Sequence, residues 1–167
     1  MVFALKDTWL WDSWYARDGD TWHGFFLQAP KSLIDPDARH LRATQRHATS
    51  TDLTNWTDLG TTFGPAKSPA WDDSTTWTGS VVRDDAGLWH LFYTGTCLSE
   101  KSLYQRVGHA TSTDLHNWTR VGDGLALDLT GPNADTYEKD HMIGHWHDRA
   151  MRDPWVRKDP KSDGWLM

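Results

Sequence analysis

Three short segments carry the side chains best suited to chemistry: Trp11-Asp12-Ser13-Trp14, Trp77-Thr78-Gly79-Ser80 and Arg152-Asp153-Pro154-Trp155. Two of them set an aspartate among tryptophan or arginine. A carboxylate so placed can attack an electrophilic carbon or stabilise positive charge that develops beside it. Indole faces can line a binding site and pack against apolar ligand surface, while Asp and Arg bond polar groups and fix orientation. A lone aspartate is as readily a turn former or a backbone acceptor. Corresponding locations in a repeated structure are what favour the chemical reading.

The elements that must position these segments follow from an internal repeat. His47-Ala48-Thr49-Ser50-Thr51-Asp52-Leu53-Thr54-Asn55-Trp56-Thr57-Asp58-Leu59-Gly60 recurs 62 residues later, from His109 to Gly122, with 11 of 14 positions identical. A second element precedes each copy: Arg17–Leu27 parallels Arg83–Tyr93, and a third instance runs from Trp155 to Met167. Each joins an apolar run to an aromatic run through Asp and Gly, which is the chemistry of a hairpin turn. The repeated Ser-Thr-Asp-Leu-x-Asn-Trp is a scaffold feature, in which Ser and Asp fix a turn and Leu and Trp pack inward.

A period near 60 residues built of short strands suits one four-stranded propeller blade. The segments are too short, and too often broken by Gly, Pro, Asn and Asp, for helical repeats. The expected fold is therefore all-β, of the β-propeller type: one incomplete domain over residues 1–167, with blades at about 7–66, 67–130 and, in part, 131–167. Short helical turns are expected only near Ser32–Ile34 and Thr136–Lys139. Propellers concentrate function where the inner strands of successive blades converge. Counted back from the arginines Arg17, Arg83 and Arg157, the three segments all lie within two to six residues upstream, at that inner mouth.

Composition agrees. The chain holds 12 Trp, 4 Tyr and 5 Phe, and its mean hydropathy is −0.68, too aromatic for disorder and too polar for a Leu/Ile-packed bundle. Net charge is −6 with scattered Lys and Arg, which argues against nucleic acid or an anionic membrane as partner. Cys97 is a single cysteine, and Met1–Lys6 is too short for a signal sequence, so the expectation is a cytoplasmic protein.

Trp11-Asp12-Ser13-Trp14 resembles the nucleophile segment of glycoside hydrolase family 68, the levansucrases. Arg152-Asp153-Pro154 is similar to the Arg-Asp-Pro motif that this family shares with family 32, the invertases. Trp77-Thr78-Gly79-Ser80 resembles their Trp-Ser-Gly-Ser segment, with Thr in place of the first Ser. The resemblance spans most of the chain and implies the N-terminal part of a five-bladed propeller, here about two and a half blades, with a fructosyl pocket at its centre. It casts Asp12 as nucleophile and Asp153 as the carboxylate that orients the furanose ring, with Arg152, Trp11, Trp14, Trp77, Thr78 and Gln28 as sugar contacts.

It further implies a retaining β-fructofuranosidase acting on sucrose or fructans, without metal or organic cofactor. Such an enzyme pairs an ionised nucleophile with a protonated acid about 5–5.5 Å away, around an oxocarbenium-like transition state. Two departures stand out. The invertase pattern Asn-Asp-Pro-Asn-Gly is absent at Asp12. Glu100 and Glu138 both precede Asp153, where the family's acid/base glutamate follows it, so the 167-residue chain alone is expected to have little turnover. An arabinofuranosidase- or xylosidase-like glycosidase, or a non-catalytic sugar-binding propeller, are the competing readings. His141, His145 and His147, with Asp140 and Asp148, do not match zinc-ligand spacing and read as a polar loop. Asp72 and Asp73 read as turn formers.

Overall fold

The computed structural model describes residues 3–130, 134–137 and 149–167. Four antiparallel strands form a first sheet in chain order: β1 (Thr8–Asp18), β2 (Thr21–Pro30), β3 (Thr44–Ser50) and β4 (Thr57–Phe63). A second sheet repeats the arrangement with β5 (Thr75–Arg83), β6 (Trp89–Thr96), β7 (Tyr104–Ser112) and β8 (Thr119–Leu127), and the short β9 (Arg149–Ala150) pairs parallel to β7. A third hairpin, β10 (Arg157–Lys158) and β11 (Trp165–Leu166), follows. The fold is all-β and of the propeller type.

Turn chemistry explains the hairpins. Gly19 and Gly87 take the positive φ values of 57° and 90° that their turns demand. Arg17 and Arg83 donate from Nε to the carbonyls of Gly19 and Gly87, at 3.0 and 3.1 Å, and lay their guanidinium groups over Trp22 and Trp89. In the third hairpin the cation over the aromatic ring is Lys158, 5.1 Å from the Trp165 centroid, and Lys158 is the residue in register with Trp165. The third repeat is thus phased on Lys158, one residue later than the Arg157 alignment read from sequence. Two adjacent cations cannot be told apart until strand register is known.

Among the described residues, helical structure is confined to short 3-10 turns. Those at Lys31–Leu33 and Ala134–Thr136 fall near the expected places, whereas Pro36–Arg42 and Leu98–Glu100 were not anticipated. The core lies between the two sheets. Phe25 stacks on Trp14 and His47, Trp118 meets Phe25 edge-on at 6.1 Å, and Phe63 meets Tyr93 at 4.7 Å. Asp72 is fully buried here, accepting hydrogen bonds at 2.8 Å from both the Tyr93 hydroxyl and Arg120 Nε. Its side chain ties the turn it sits in to β6 and β8, while Asp73 organises the turn by accepting from the Ala70 and Leu98 amides. Among the described residues no helix is long and apolar enough to cross a membrane.

Candidate active site

Each inner strand breaks its ladder once, at the same place. In β1 the register skips Asp12, between Trp11 and Ser13; in β5 it skips Thr78, between Trp77 and Gly79. A β-bulge of this kind adds one unpaired residue and re-aims its side chain. With the third repeat phased on Lys158, the three inner-mouth residues become equivalent. Asp12, Thr78 and Asp153 each lie five residues ahead of the cation that covers the hairpin aromatic, at Arg17, Arg83 and Lys158. Asp12 and Asp153 have positive φ values of 29° and 58°, uncommon for residues other than glycine and frequent at functional sites. Gly79 is required beside the second bulge, because a Cβ there would sit 2.1 Å from the Phe92 carbonyl oxygen.

The three equivalent residues converge on one cavity of about 300 Å3. Trp11 and Trp77 form part of its wall, with Asp12, Thr78, Arg152 and Asp153 supplying the polar groups. That volume is at the small end of ligand sites, roughly 300–1,000 Å3, and suits a single sugar ring. Thr78 Oγ1 donates to Asp12 Oδ2 at 2.6 Å, so the hydroxyl of the second sheet orients the carboxylate of the first. Arg152 Nε lies 3.4 Å from Asp153 Oδ2, and its Nη1 donates to Gln105 Oε1 at 3.3 Å. Burial pushes the Asp153 carboxyl up from its ordinary value; Arg152 opposes that shift and the charge of Asp12 adds to it. The two carboxylates therefore feel each other across the cavity.

Two expected sugar contacts are not there. Trp14 lies in the core, stacked on Phe25 with ring centroids 6.0 Å apart. The bulge at Asp12 resets the alternation along β1, and Trp14 follows Ala16 onto the face that packs against the second sheet. Gln28 is buried and spends its amide within the sheet, donating to Thr44 and Thr61 at 3.1 and 2.6 Å and accepting from Arg46 at 2.7 Å. Glu100 is held by Arg106, whose Nη atoms contact its two oxygens at 2.5 and 2.8 Å, and it does not line the cavity.

Sequence reasoning missed Arg39 and His40, which line the cavity from the Pro36–Arg42 turn. Arg39 lies over Trp11, 5.4 Å from the ring centroid, and the His40 carbonyl accepts from Trp77 Nε1 at 2.7 Å. One turn thus braces both cavity tryptophans. Its signal was present in Asp35-Pro36-Asp37: Asp35 is the N-cap, accepting from the Asp37 amide at 2.9 Å, and Pro36 occupies the first turn.

A larger groove of about 590 Å3 on the outer face of the first sheet is lined by Phe3, Tyr15, Phe26 and Trp56. It also reaches Asp12 but no second carboxylate, whereas the smaller cavity is lined by both Asp12 and Asp153. Among the described residues there is no group of three or more His, Cys, Asp or Glu arranged to hold a metal ion. His141, His145 and His147, Asp140, Asp148 and Glu138 lie outside the described residues.

Repeated four-stranded sheets with a carboxylate cavity at their inner ends define a protein of the β-propeller type. Residues 14–167 match the glycosyl hydrolases family 32 N-terminal domain, and the chain belongs to that family. It is 26% identical to a levansucrase of Streptococcus mutans over 98% of this chain and 22% of that protein. It is 30% identical to an insoluble isoenzyme of beta-fructofuranosidase from Arabidopsis thaliana over 68% of this chain and 18% of that one. The chain therefore spans about a fifth of the length of these curated relatives. Among solved structures, the inulosucrase of Halalkalicoccus jeotgali bound to kestose superposes with a TM-score of 0.66 at 25% identity, covering 96% of this chain and 42% of that one. The fructofuranosidase of Schwanniomyces occidentalis complexed with fructose gives a TM-score of 0.70 at 20% identity, covering 98% of this chain and 30% of that one, and shares the fold.

Proposed function

We propose that residues 1–167 supply the nucleophile half of a retaining glycosidase acting on β-fructofuranosides of the sucrose or fructan kind. One observation carries this reading: Asp12 and Asp153, equivalent residues of different repeats, face a single cavity walled by Trp11 and Trp77. Asp12 attacks the anomeric carbon of the bound furanoside and the bond to the leaving oxygen breaks, giving a fructosyl ester on the carboxylate. The hydrogen bond from Thr78 aims the Asp12 carboxylate. Asp153 and Arg152 bind ring hydroxyls, and the negative charge of Asp153 stabilises the oxocarbenium-like transition state. Water or a second sugar then attacks the ester and releases Asp12 with overall retention.

The departing oxygen needs a proton, and among the described residues no third carboxylate lines the cavity. The family resemblance assigns the acid/base to a glutamate that follows Arg152-Asp153-Pro154, and residues 154–167 contain none, so residues 1–167 by themselves are expected to turn over little or no sucrose. The test is to assay the full-length gene product on sucrose and on aryl β-fructofuranosides beside Asp12→Ala. Loss of the covalent route is expected to lower kcat by about 10⁴-fold or more. Unchanged turnover in the variant discards the assignment of Asp12. Fructose binding without any turnover by the unmodified protein would make it a sugar-binding module.

A further inference from the structure

Asp12 and Asp153 come from parts of the chain far apart in sequence, and their relative placement must be set by something that touches both settings. Thr94, on β6, meets that requirement. It is fully buried, and its Oγ1 makes two hydrogen bonds. It donates to the Thr78 carbonyl at 3.1 Å and accepts from the Asp153 amide at 2.8 Å. A hydroxyl has one proton to give, and the carbonyl can only accept while the amide can only donate, so both directions are fixed. The Thr78 carbonyl belongs to the bulged residue that the β5–β6 ladder skips. The Asp153 amide belongs to a residue with φ of 58° that precedes Pro154, a setting in which the proline favours extended backbone. Neither conformation is self-sustaining.

We infer that Thr94 is a positioning residue: its single hydroxyl couples the Thr78 bulge to the Asp153 backbone and thereby sets the spacing of the two cavity carboxylates. The chain of contacts runs from the Asp153 amide through Thr94 Oγ1 to the Thr78 carbonyl, and from Thr78 Oγ1 to the Asp12 carboxylate. Ser80 adds a second tether downstream, accepting from the Val156 amide at 3.1 Å. The first sheet offers a control. Leu27 opposes Trp11 as Thr94 opposes Trp77, so the two positions are equivalent. Leucine there lines the cavity and has no hydroxyl with which to join anything. The polar residue stands only in the sheet whose inner end meets Asp153.

This inference rests on the reading of Asp12 and Asp153 as the catalytic carboxylates, and its test separates the two. Thr94→Val keeps the shape and removes the hydroxyl; Thr94→Ser keeps the hydroxyl. In the full-length gene product, Thr94→Val is expected to lower kcat on sucrose by about 10–100-fold, the scale of an ångström-sized misplacement, with KM held within about threefold. Thr94→Ser is expected to recover kcat to within about threefold of the unmodified protein. A Thr94→Val protein with unchanged kcat overturns the inference, as does a Thr94→Ser protein no better than Thr94→Val, since that would make the residue a packing group. Amide exchange at Asp153 reads the link without any substrate. Exchange about tenfold faster in Thr94→Val supports it, and equal exchange overturns it. Absence of turnover on every β-fructofuranoside by the unmodified protein would overturn the carboxylate assignment, and the exchange measurement would still decide whether the hydroxyl holds Asp153.

Discussion

The two copies of the Ser-Thr-Asp-Leu-x-Asn-Trp turn share the hydrogen bonds of their Ser and Asp side chains and are opposite in surroundings. In the first, Ser50 Oγ accepts from the Leu53 amide at 2.9 Å and Asp52 Oδ1 accepts from the Asn55 amide at 2.7 Å. In the second, Ser112 and Asp114 make the same bonds to Leu115 and Asn117 at the same distances. Both leucines adopt positive φ, 61° and 63°. Yet Leu115 is 1% exposed and Leu53 is 49% exposed. Trp118 meets Phe25 of the first sheet, whereas its counterpart Trp56 borders the open groove with Phe3 and Tyr15. Seven residues determine the turn; the neighbouring sheet determines whether its apolar groups are a core. The expectation that Leu and Trp pack inward therefore holds fully only where a preceding sheet exists to receive them.

Truncating the two leucines separates these contributions most strongly. Leu115→Ala is expected to destabilise the protein by about 2–5 kcal/mol, through lost burial and the cavity left behind. Leu53→Ala is expected to stay within about 0.5 kcal/mol. Urea unfolding midpoints compare them directly, and equal losses would show that something covers the groove in solution.

Protonation offers the next contrast. His47 sits at the junction of the sheets, hydrogen bonded to His23 and His116, and is buried. Burial, with the charges of His23 and His116 adding to it and Asp114 opposing, lowers its pKa to about 3. Its counterpart His109, paired with His90, is also lowered, with burial as the main cause. A histidine whose folded pKa lies below its unfolded value binds its proton first in the unfolded chain. For His47 the stability is therefore intact above pH 6.5 and falls as the pH drops from about 6.5 towards 3, by up to about 1.4 kcal/mol per pH unit, and His109 acts in the same direction. Thermal scans between pH 7 and 4 are expected to lose much of that slope in His47→Asn.

The smallest effect is an expected equality. Hydrogen bonds from the turn amides hold the Asp52 and Asp114 carboxyls well below the usual carboxylate range. Asp52→Ala and Asp114→Ala are expected to lower Tm by similar small amounts, because what each removes is local. Unequal shifts would mean that the turn itself, and not only its leucine, depends on the neighbouring sheet.

What the sequence disclosed divides along the same line. Turns, hairpins and the repeat were legible because Gly19 and Gly87 supply the positive φ of their turns and Ser50 and Asp52 accept from amides two or three residues away. Phasing of the third repeat was not, since Arg157 and Lys158 are neighbouring cations and only the pairing with Trp165 separates them. The cavity carboxylates Asp12 and Asp153 could be found by motif. Trp14 was misassigned because the break at Asp12 shifts the facing of every residue after it, and the break is invisible without the partner strand. Arg39 and His40 escaped because the Pro36–Arg42 turn folds across to a strand of the next sheet, a contact no local pattern encodes.

Asp12 and Thr78 occupy slots exempt from the pairing rules that govern every other residue of their strands. A lattice with one such exemption per module can change its reagent by a single letter while the masonry around it stays untouched. Here one module holds an acid and the next a hydroxyl that steers it, so a duplicated framework has become asymmetric at little mechanical expense.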